Sequence, residues 1–437
     1  MERIVYELGI LHTMKPSKYN YFLPYKNKTV CYSGLTDSFF IIPSERTDSY
    51  RTIIENPDQH KKIFGSFIDK MRLQGFILDN EVDEMALVRK KLEPLTTPHQ
   101  YFLMILPTYQ CNLRCWYCIQ KHENLFMSKE TVDAIKERIK LKLDNPEITE
   151  FQLSWFGGEP LLAYDIVLEL TRFGRDYAES KGKKFAASIT TNGTLLTAER
   201  IENLRDAGVK YYQITIDGDP VTHDLIKQLG KISAYDRTLS NIEQIARHTM
   251  VGLRFNYTRD NLKPAEVLAG IKSRLSEESR KNIRFNIYKV WQQQEEEINE
   301  ADVEELFKMG KEAGMYPTFA TTGVCYTDRK YFDCIFPNGR VGKCDNHNPE
   351  DMPGLLLKNG EVIWEEDVTD IYKLHLGQKE QGECNACQYL PVCWGPCQVK
   401  RERMLKEAGK ITCMYADKHK DMRNHILNHC KTELQEI

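Results

Sequence analysis

The 437-residue chain contains no stretch approaching the roughly 18 consecutive apolar residues of a membrane-spanning helix. Its opening, MERIVYELGILHTMK, lacks the basic, apolar, small-residue order of a secretory signal. A cytoplasmic protein with no membrane partner is therefore expected. Excess charge of either sign is also missing: 60 Lys+Arg face 63 Asp+Glu, a formal net charge of -3. No global positive field exists to recruit a polyanion, so no nucleic acid partner is expected. Internal repeats and low-complexity tracts are absent too. Cysteine is nearly absent over long spans, with one in the first 110 residues and none between 119 and 324. Yet there are 13, three of them packed into 111–118 and nine from 325 onward. Clustered cysteines in a reducing compartment read as metal ligands rather than disulfides.

At about 150 residues per domain the length suits two or three domains. From Phe102 to Val290, short apolar runs (FLMILPT, FQLSWF, FAASITT, YYQITID, GLRFNYT, IRFNIYKV) alternate with amphipathic helical patterns such as SKETVDAIKERIKLKL and AYDRTLSNIEQIARH. Strand then helix, about six times over, predicts an α/β fold, a partial (β/α)6 TIM-like barrel with its chemistry at the C-terminal strand ends. Three domains are expected: a small α+β module over 1–95, the barrel over 96–315, and a loop-rich, metal-organised region over 316–437. In the first, Tyr21 to Leu23, Thr29 to Tyr32 and Phe39 to Ile42 read as strands, and helical patterns follow near Tyr50 to Ile54 and Lys61 to Leu73. The charged segment Asn80 to Pro98 reads as a joining segment, and the acidic run Glu295 to Glu305 as a solvated helix face.

Cys111, Cys115 and Cys118 stand at C-x3-C-x2-C spacing just after the first barrel strand. Three thiolates on one loop can ligate three irons of a cubane and leave the fourth open. A zinc knuckle, the alternative, would need a fourth ligand that this loop lacks.

This loop resembles that of the radical SAM superfamily. The resemblance implies a [4Fe-4S] cluster, with S-adenosylmethionine (SAM) bound at the open iron and cleaved by one electron to a 5'-deoxyadenosyl radical. Further matches fall in family order at strand ends: Gly157-Gly158-Glu159-Pro160, Thr191-Asn192-Gly193 and Ile216-Asp217-Gly218. The family would place Gly157, Gly158 and Glu159 at the methionine amine, Asn192 beside them and Tyr117 near adenine. Ser188, Thr190 and Arg254, projecting from strands, are candidate contacts to ribose or carboxylate. One position departs from the pattern: after the Asp-Gly turn, relatives often show His-Asp-x-x-Arg, whereas His223-Asp224 is followed here by Lys227. A lysine offers the SAM carboxylate a point charge instead of a bidentate fork.

Cys384-x2-Cys387-x5-Cys393-x3-Cys397, with Cys413 after and Cys325 and Cys344 before, resembles the seven-cysteine SPASM pattern, including C-x13-G-x4-C through Gly339. The resemblance implies two auxiliary [4Fe-4S] clusters, one on Cys325, Cys344 and Cys397, the other on Cys384, Cys387, Cys393 and Cys413. A zinc ribbon is the alternative. Asn338-Gly339 reads as a two-residue hairpin turn that sets Cys344 opposite Asp333 and points Cys334 to the other face. By that parity Cys334 is a buried thiol and the first auxiliary cluster has an open iron; a bulge that resets the face, making Cys334 a ligand, is the alternative. Asp345 follows Cys344 as in sulfatase-maturating relatives, where an Asp takes the substrate proton; a turn-capping role is the plain alternative. His425, His429 and Cys430 read as an exposed helix. Residues 1–95 resemble the small winged-helix-like element with which peptide-modifying relatives hold a leader peptide, and a packing extension is the alternative.

The expectation is a radical SAM/SPASM maturase acting on a ribosomally made precursor peptide with a leader, served by a low-potential electron donor. The rivals are a sulfatase-maturating (formylglycine-generating) enzyme and a non-catalytic iron-sulfur or zinc protein that only binds a peptide.

Overall fold

The computed structural model describes residues 13–293, 297–319, 323–346, 350, 352–365, 383–415 and 417–435. It divides into two compact units: Met1–Thr97 with Thr321–Asp328 and Leu374–Ile437, and Pro98–Ala320 with Arg329–Lys373.

In the first unit a short strand, β1 (Met14–Pro16), precedes an antiparallel meander of β2 (Asn20–Tyr25), β3 (Lys28–Ser33) and β4 (Phe39–Pro43). Helices α1 (Thr47–Glu55) and α2 (Pro57–Leu73) follow, then β5 (Ile77–Asp79), which pairs with β1, and α3 (Glu84–Thr96). The central strand β3 is buried on both faces, as alternation along a strand allows. Cys31, with Phe22 beside it, packs on Ile54, Ile68, Met71 and Phe76. Val30 and Tyr32 point the other way, joining Tyr21, Tyr389, Val392 and, from the C-terminal helix Lys418–Gln435, Met422, Ile426, Leu427 and Cys430. That helix was expected to be exposed; its apolar positions 422, 426 and 430 recur every four residues and cover the sheet. The charged joining segment is likewise helical. Asp83 accepts a hydrogen bond from Met85 N at the start of α3, and Val88, Leu92 and Thr96 lie buried at four-residue intervals among the charges.

In the second unit β6 (Gln100–Ile105), β7 (Glu150–Trp155), β8 (Lys184–Thr191), β9 (Val209–Ile216), β10 (Met250–Tyr257), β11 (Ile283–Lys289) and β12 (Tyr316–Phe319) lie side by side in chain order, all parallel. Between them run α4 (Lys129–Leu143), α5 (Tyr164–Ser180), α6 (Ala198–Ala207), α7 (Pro220–Lys227), α8 (Ala234–Ala246), α9 (Pro264–Lys272), α10 (Glu277–Arg280) and α11 (Glu300–Glu312). Six strand-helix repeats of a partial barrel are thus present, with a seventh strand at the edge. The acidic run lies on α11 from residue 300, while 294–296 are outside the described residues. Side-chain oxygens of Ser128, Thr197, Asp219, Ser233 and Asn299 accept from first-turn amides of α4, α6, α7, α8 and α11.

The parallel strands alternate. On β8 and β9, Ala187, Ile189, Thr191, Tyr212, Ile214 and Ile216 are buried, whereas Ser188, Thr190, Gln213 and Thr215 are half-buried. The apolar set joins the main core. The polar set lines the opposite face, which in a sheet covered by helices on both sides would be apolar as well. Among the described residues no helix is long and apolar enough to cross a membrane.

Beyond β6 the sheet continues through β13 (Phe332–Ile335, parallel to β6), β14 (Arg340–Gly342), β15 (Gly354–Leu356) and β16 (Val362–Trp364). The β13–β14 register pairs Cys334 with Gly342 and Ile335 with Val341, and Phe336 N donates to Arg340 O. The loop is therefore Pro337-Asn338-Gly339, one residue longer than the expected turn, with Gly339 at φ +77 supplying the left-handed step. The added residue reverses the parity argument: Cys344 is no longer registered against Asp333. Asp333 instead faces the helices, where its carboxylate accepts from Tyr101 Oη at 2.9 Å and from Arg138 Nε and Nη2 at 3.0 Å each. Arg138 also donates to Gly360 O.

The Arg138, Lys142 and Lys343 charges and the Tyr101 hydroxyl hold the Asp333 carboxyl well below its usual range, against the opposing effect of burial. A depressed folded-state value contributes stability that is complete above the unfolded carboxylate pKa and declines as pH falls below it. Asp333→Asn should lower unfolding stability at neutral pH by roughly 3–5 kcal/mol, because it leaves the Arg138 guanidinium buried without its counter-charge. It should also flatten the loss of stability between about pH 4 and pH 2. Denaturant melts at several pH values check both.

Candidate active site

Four strand ends meet around the cysteine loop. After β7, Gly158 N donates to Thr108 O at 3.0 Å and Glu159 N to Gln110 O at 2.8 Å, so the glycine segment pairs with the backbone leading into Cys111. A Cβ on Gly157 would lie 2.5 Å from Thr108 O, at φ +115, and one on Gly158 only 2.2 Å from Gln110 O. The glycines are thus required by close approach to the cysteine loop itself, a reason independent of any ligand.

Glu159 is fully buried. Its Oε1 accepts from Leu161 N (3.0 Å) and Thr191 Oγ1 (2.8 Å), and its Oε2 from Asn192 N (2.8 Å). Burial pushes the carboxyl pKa up, and the backbone donors at Asn192 and Leu161 oppose that shift. The side chain binds the loop after β8 to the loop after β7. Asn192 continues the chain: its Nδ2 donates to Asn112 Oδ1 at 2.9 Å and lies 3.8 Å from Cys111 Sγ, while Asn112 Nδ2 donates to Thr194 Oγ1 at 2.9 Å. Asn112 and Thr194 were not singled out in the sequence; the only signal was their adjacency to Cys111 and to the Thr-Asn-Gly turn.

Tyr117 donates from Oη to Asp217 Oδ1 at 2.7 Å, and Lys227 Nζ donates to Tyr117 Oη at 3.0 Å while standing 2.9 Å from Asp217 Oδ2. His122 Nε2 lies 3.1 Å from Cys118 Sγ. Ser188 and Arg254 sit on the polar face of the sheet, Ser188 donating to Ser154 Oγ at 3.2 Å. Arg254 donates from Nε to Asn256 Oδ1 at 2.8 Å, its guanidinium 4.6 Å above the Tyr288 ring. Cys334 is fully buried, and burial together with the charges of Asp345 and Cys344 pushes its thiol well up. The charge of Asp345 also opposes ionisation of Tyr109.

In the first unit Cys384, Cys387, Cys393 and Cys413 line one cavity with Tyr389, Leu390, Tyr415 and Met422. Cys325 and Cys397 lie near enough for charge on one to oppose ionisation of the other. Among the described residues no three His, Cys, Asp or Glu side chains converge to hold a single metal ion. The cysteine loops share a geometry that fits a thiolate-held cluster. The amide two residues on donates to Sγ at Cys111 (Leu113, 3.4 Å), Cys344 (Asn346, 3.4 Å) and Cys387 (Tyr389, 3.5 Å). Gln120, Thr327 and Gly395 amides do the same for Cys118, Cys325 and Cys393. Such N–H donors stabilise charge on sulfur and tune a cluster's potential.

Residues 105–258 match the Radical SAM superfamily model. That span is therefore a radical SAM domain. The chain is 36% identical over 142 residues to the AdoMet-dependent heme synthase of Methanosarcina barkeri, covering 32% of this chain and 37% of that protein. It is 28% identical over 137 residues to GTP 3',8-cyclase 1 of Mycobacterium tuberculosis, covering 31% of this chain and 37% of that one. The chain thus spans 37% of the length of these curated relatives. Among solved structures, native anSMEcpe with bound AdoMet and Kp18Cys peptide shares the fold at a TM-score of 0.54 and 17% identity, over 77% of this chain and 98% of that one.

Gly158→Ala should displace the backbone at Thr108 to Gln110 and with it Cys111, since a 2.2 Å approach to a carbonyl oxygen cannot be relieved by side-chain motion. Anaerobically reconstituted Gly158→Ala protein should lose most of one cluster's iron while its far-ultraviolet circular dichroism stays as in wild type. Full iron retention would remove the packing role.

Proposed function

We propose that this enzyme is a radical SAM/SPASM maturase that modifies a ribosomally made precursor peptide, forming a thioether or carbon-carbon crosslink or a similar modification. The observation that carries the reading is the polar face of the parallel sheet, which opens at the same strand ends as the Cys111, Cys115 and Cys118 loop. Those three thiolates would hold a [4Fe-4S] cluster. Auxiliary clusters would occupy the SPASM cysteines: Cys325, Cys344 and Cys397 in one group, and Cys384, Cys387, Cys393 and Cys413 in the other. Held there with SAM bound, that first cluster would supply the one electron for reductive cleavage to a 5'-deoxyadenosyl radical able to take hydrogen from a substrate carbon. A low-potential donor provides that electron.

The residues of the chain supply positioning. Gly157 and Gly158 bring the backbone after β7 alongside the cysteine loop, and Glu159 holds Asn192 there, so backbone groups of this segment are the ones available to the SAM amine. Tyr117 presents its ring beside the cluster, toward adenine. Ser188 and Arg254 offer a hydroxyl and a guanidinium edge from the polar face to ribose or carboxylate. The meander β2-β3-β4 followed by three helices supports the leader-holding role of residues 1–95, since β4 pairs only with β3 among the described residues and leaves an edge for β-augmentation. A leader held there would raise the effective concentration of the attached core segment. Asp345 beside Cys344 favours a second reading, a sulfatase-maturating enzyme in which it acts as the base.

Anaerobic reconstitution should give about 12 irons per chain, as three [4Fe-4S] clusters require, and reduced protein should convert SAM to 5'-deoxyadenosine. Replacing Cys111, Cys115 and Cys118 together by Ala should remove about a third of the iron and all SAM cleavage. Co-expression with a short peptide encoded beside the gene, followed by mass measurement, distinguishes crosslinking from formylglycine formation. Zinc in place of iron would overturn the reading.

A further inference from the structure

We propose that Lys227 is a positioning residue: paired with Asp217 and hydrogen-bonded to the Tyr117 hydroxyl, it ties α7 to the cysteine loop and sets how Tyr117, with Cys115 and Cys118 on either side, is presented. The inference rests on the reading that this loop holds a cluster. Lys227 is 4% exposed although its side chain is charged. Its ammonium stands 2.9 Å from Asp217 Oδ2, 3.0 Å from Tyr117 Oη and 5.5 Å from the centre of the Tyr117 ring. A buried ammonium held by these groups is occupied, so the SAM carboxylate would have to break an internal ion pair to reach it.

Both partners of Lys227 are themselves fixed. Asp217 N donates to His223 Nδ1 at 3.2 Å, and Asp217 O accepts from Asn261 Nδ2 at 3.0 Å. Tyr117 O accepts from Gln292 Nε2 at 2.6 Å. The aromatic of the cysteine loop is therefore held at its hydroxyl and at its carbonyl, and the turn after β9 does not move independently of it. An arginine, longer and planar, could keep the same two partners.

The test reads the cluster itself. Reconstituted wild type, Lys227→Met, Lys227→Arg, Tyr117→Phe and the Lys227→Met/Tyr117→Phe pair are compared by the rate of cluster loss to a chelator, followed by visible absorbance without SAM, and by the electron paramagnetic resonance spectrum of the reduced cluster. Lys227→Met and Tyr117→Phe should each speed cluster loss several-fold and broaden the spectrum. The double variant should be no worse than the more severe single one, because both remove the same tie. Lys227→Arg should recover much of the wild-type behaviour. Tyr117→Phe removes one oxygen atom and carries the test if Lys227→Met does not fold. A silent Tyr117→Phe, or additive losses in the double variant, overturns the proposal. So does weakened SAM binding in Lys227→Met with wild-type cluster loss and spectrum, which would make Lys227 a direct SAM contact. Failure of the wild type to take up any [4Fe-4S] cluster would instead overturn the proposed function.

Discussion

The buried carboxylate of Glu159 is the point on which the arrangement of the strand-end loops depends. A carboxylate with no access to water is costly unless every oxygen is satisfied, and here the donors come from two different loops. The loops after β7 and β8 are therefore correct together or not at all. Asn192, fixed by that carboxylate, reaches across to Asn112, and the glycine pair reaches the backbone at residues 108–110. Three parallel strands thereby deliver a single rigid rim, although the strands themselves specify only the directions in which their loops leave.

The cysteine-rich part of the first unit meets the opposite problem. Its segment Gln398–Ala408 buries only Gln398 and Arg401, the turn Glu383–Ala386 buries none, and the large buried apolar groups between Cys384 and Cys397 are confined to Tyr389, Leu390, Val392 and Trp394. Apolar contact with the meander, through Tyr389 and Val392, supplies part of its order. Stacking of Tyr21 on Tyr389 at 5.3 Å adds another part, as does the buried ion pair of Arg401 with Asp328. Metal–thiolate bonds would supply the remainder, since cluster binding and folding draw on one free energy in such regions.

Much of this was legible from residue order. Apolar runs between amphipathic stretches located the parallel strands because each strand must bury one side against helices, and Gly-Gly, Asn-Gly and Asp-Gly marked the turns at their ends. What escaped was of two kinds. Single-residue changes in loop length do not register in a pattern: Asn338-Gly339 looked like a two-residue turn, and the inclusion of Pro337 moves Cys344 out of register with Asp333. Helices with sparse apolar positions were also obscured by charge, as with Val88, Leu92 and Thr96 of α3 and with Met422 and Ile426 near the C-terminus. Roles arising from contacts far apart in sequence were not readable at all. Lys227 was read at a position where relatives carry arginine, and its nitrogen lies between Asp217 and Tyr117, 110 residues away in the case of the hydroxyl. Glu159, likewise, turns inward to Thr191 and Asn192, 32 and 33 residues on.

The sharing of one core by β2, β3 and the helix Lys418–Gln435 sets an order on biosynthesis. Tyr21, Val30 and Tyr32 leave the ribosome long before Met422, Ile426 and Leu427 exist to cover them. At translation rates of roughly 5–20 residues per second the interval is about 20–80 s. Throughout it the nascent meander exposes an apolar face and two unpaired strand edges, the condition under which chains associate wrongly. Closing a loop of this length costs little additional entropy at equilibrium, so the burden falls on kinetics rather than on final stability. Yield in a foreign host should accordingly be governed less by how tightly the finished protein folds than by whether a chaperone guards its first hundred residues until the last helix arrives.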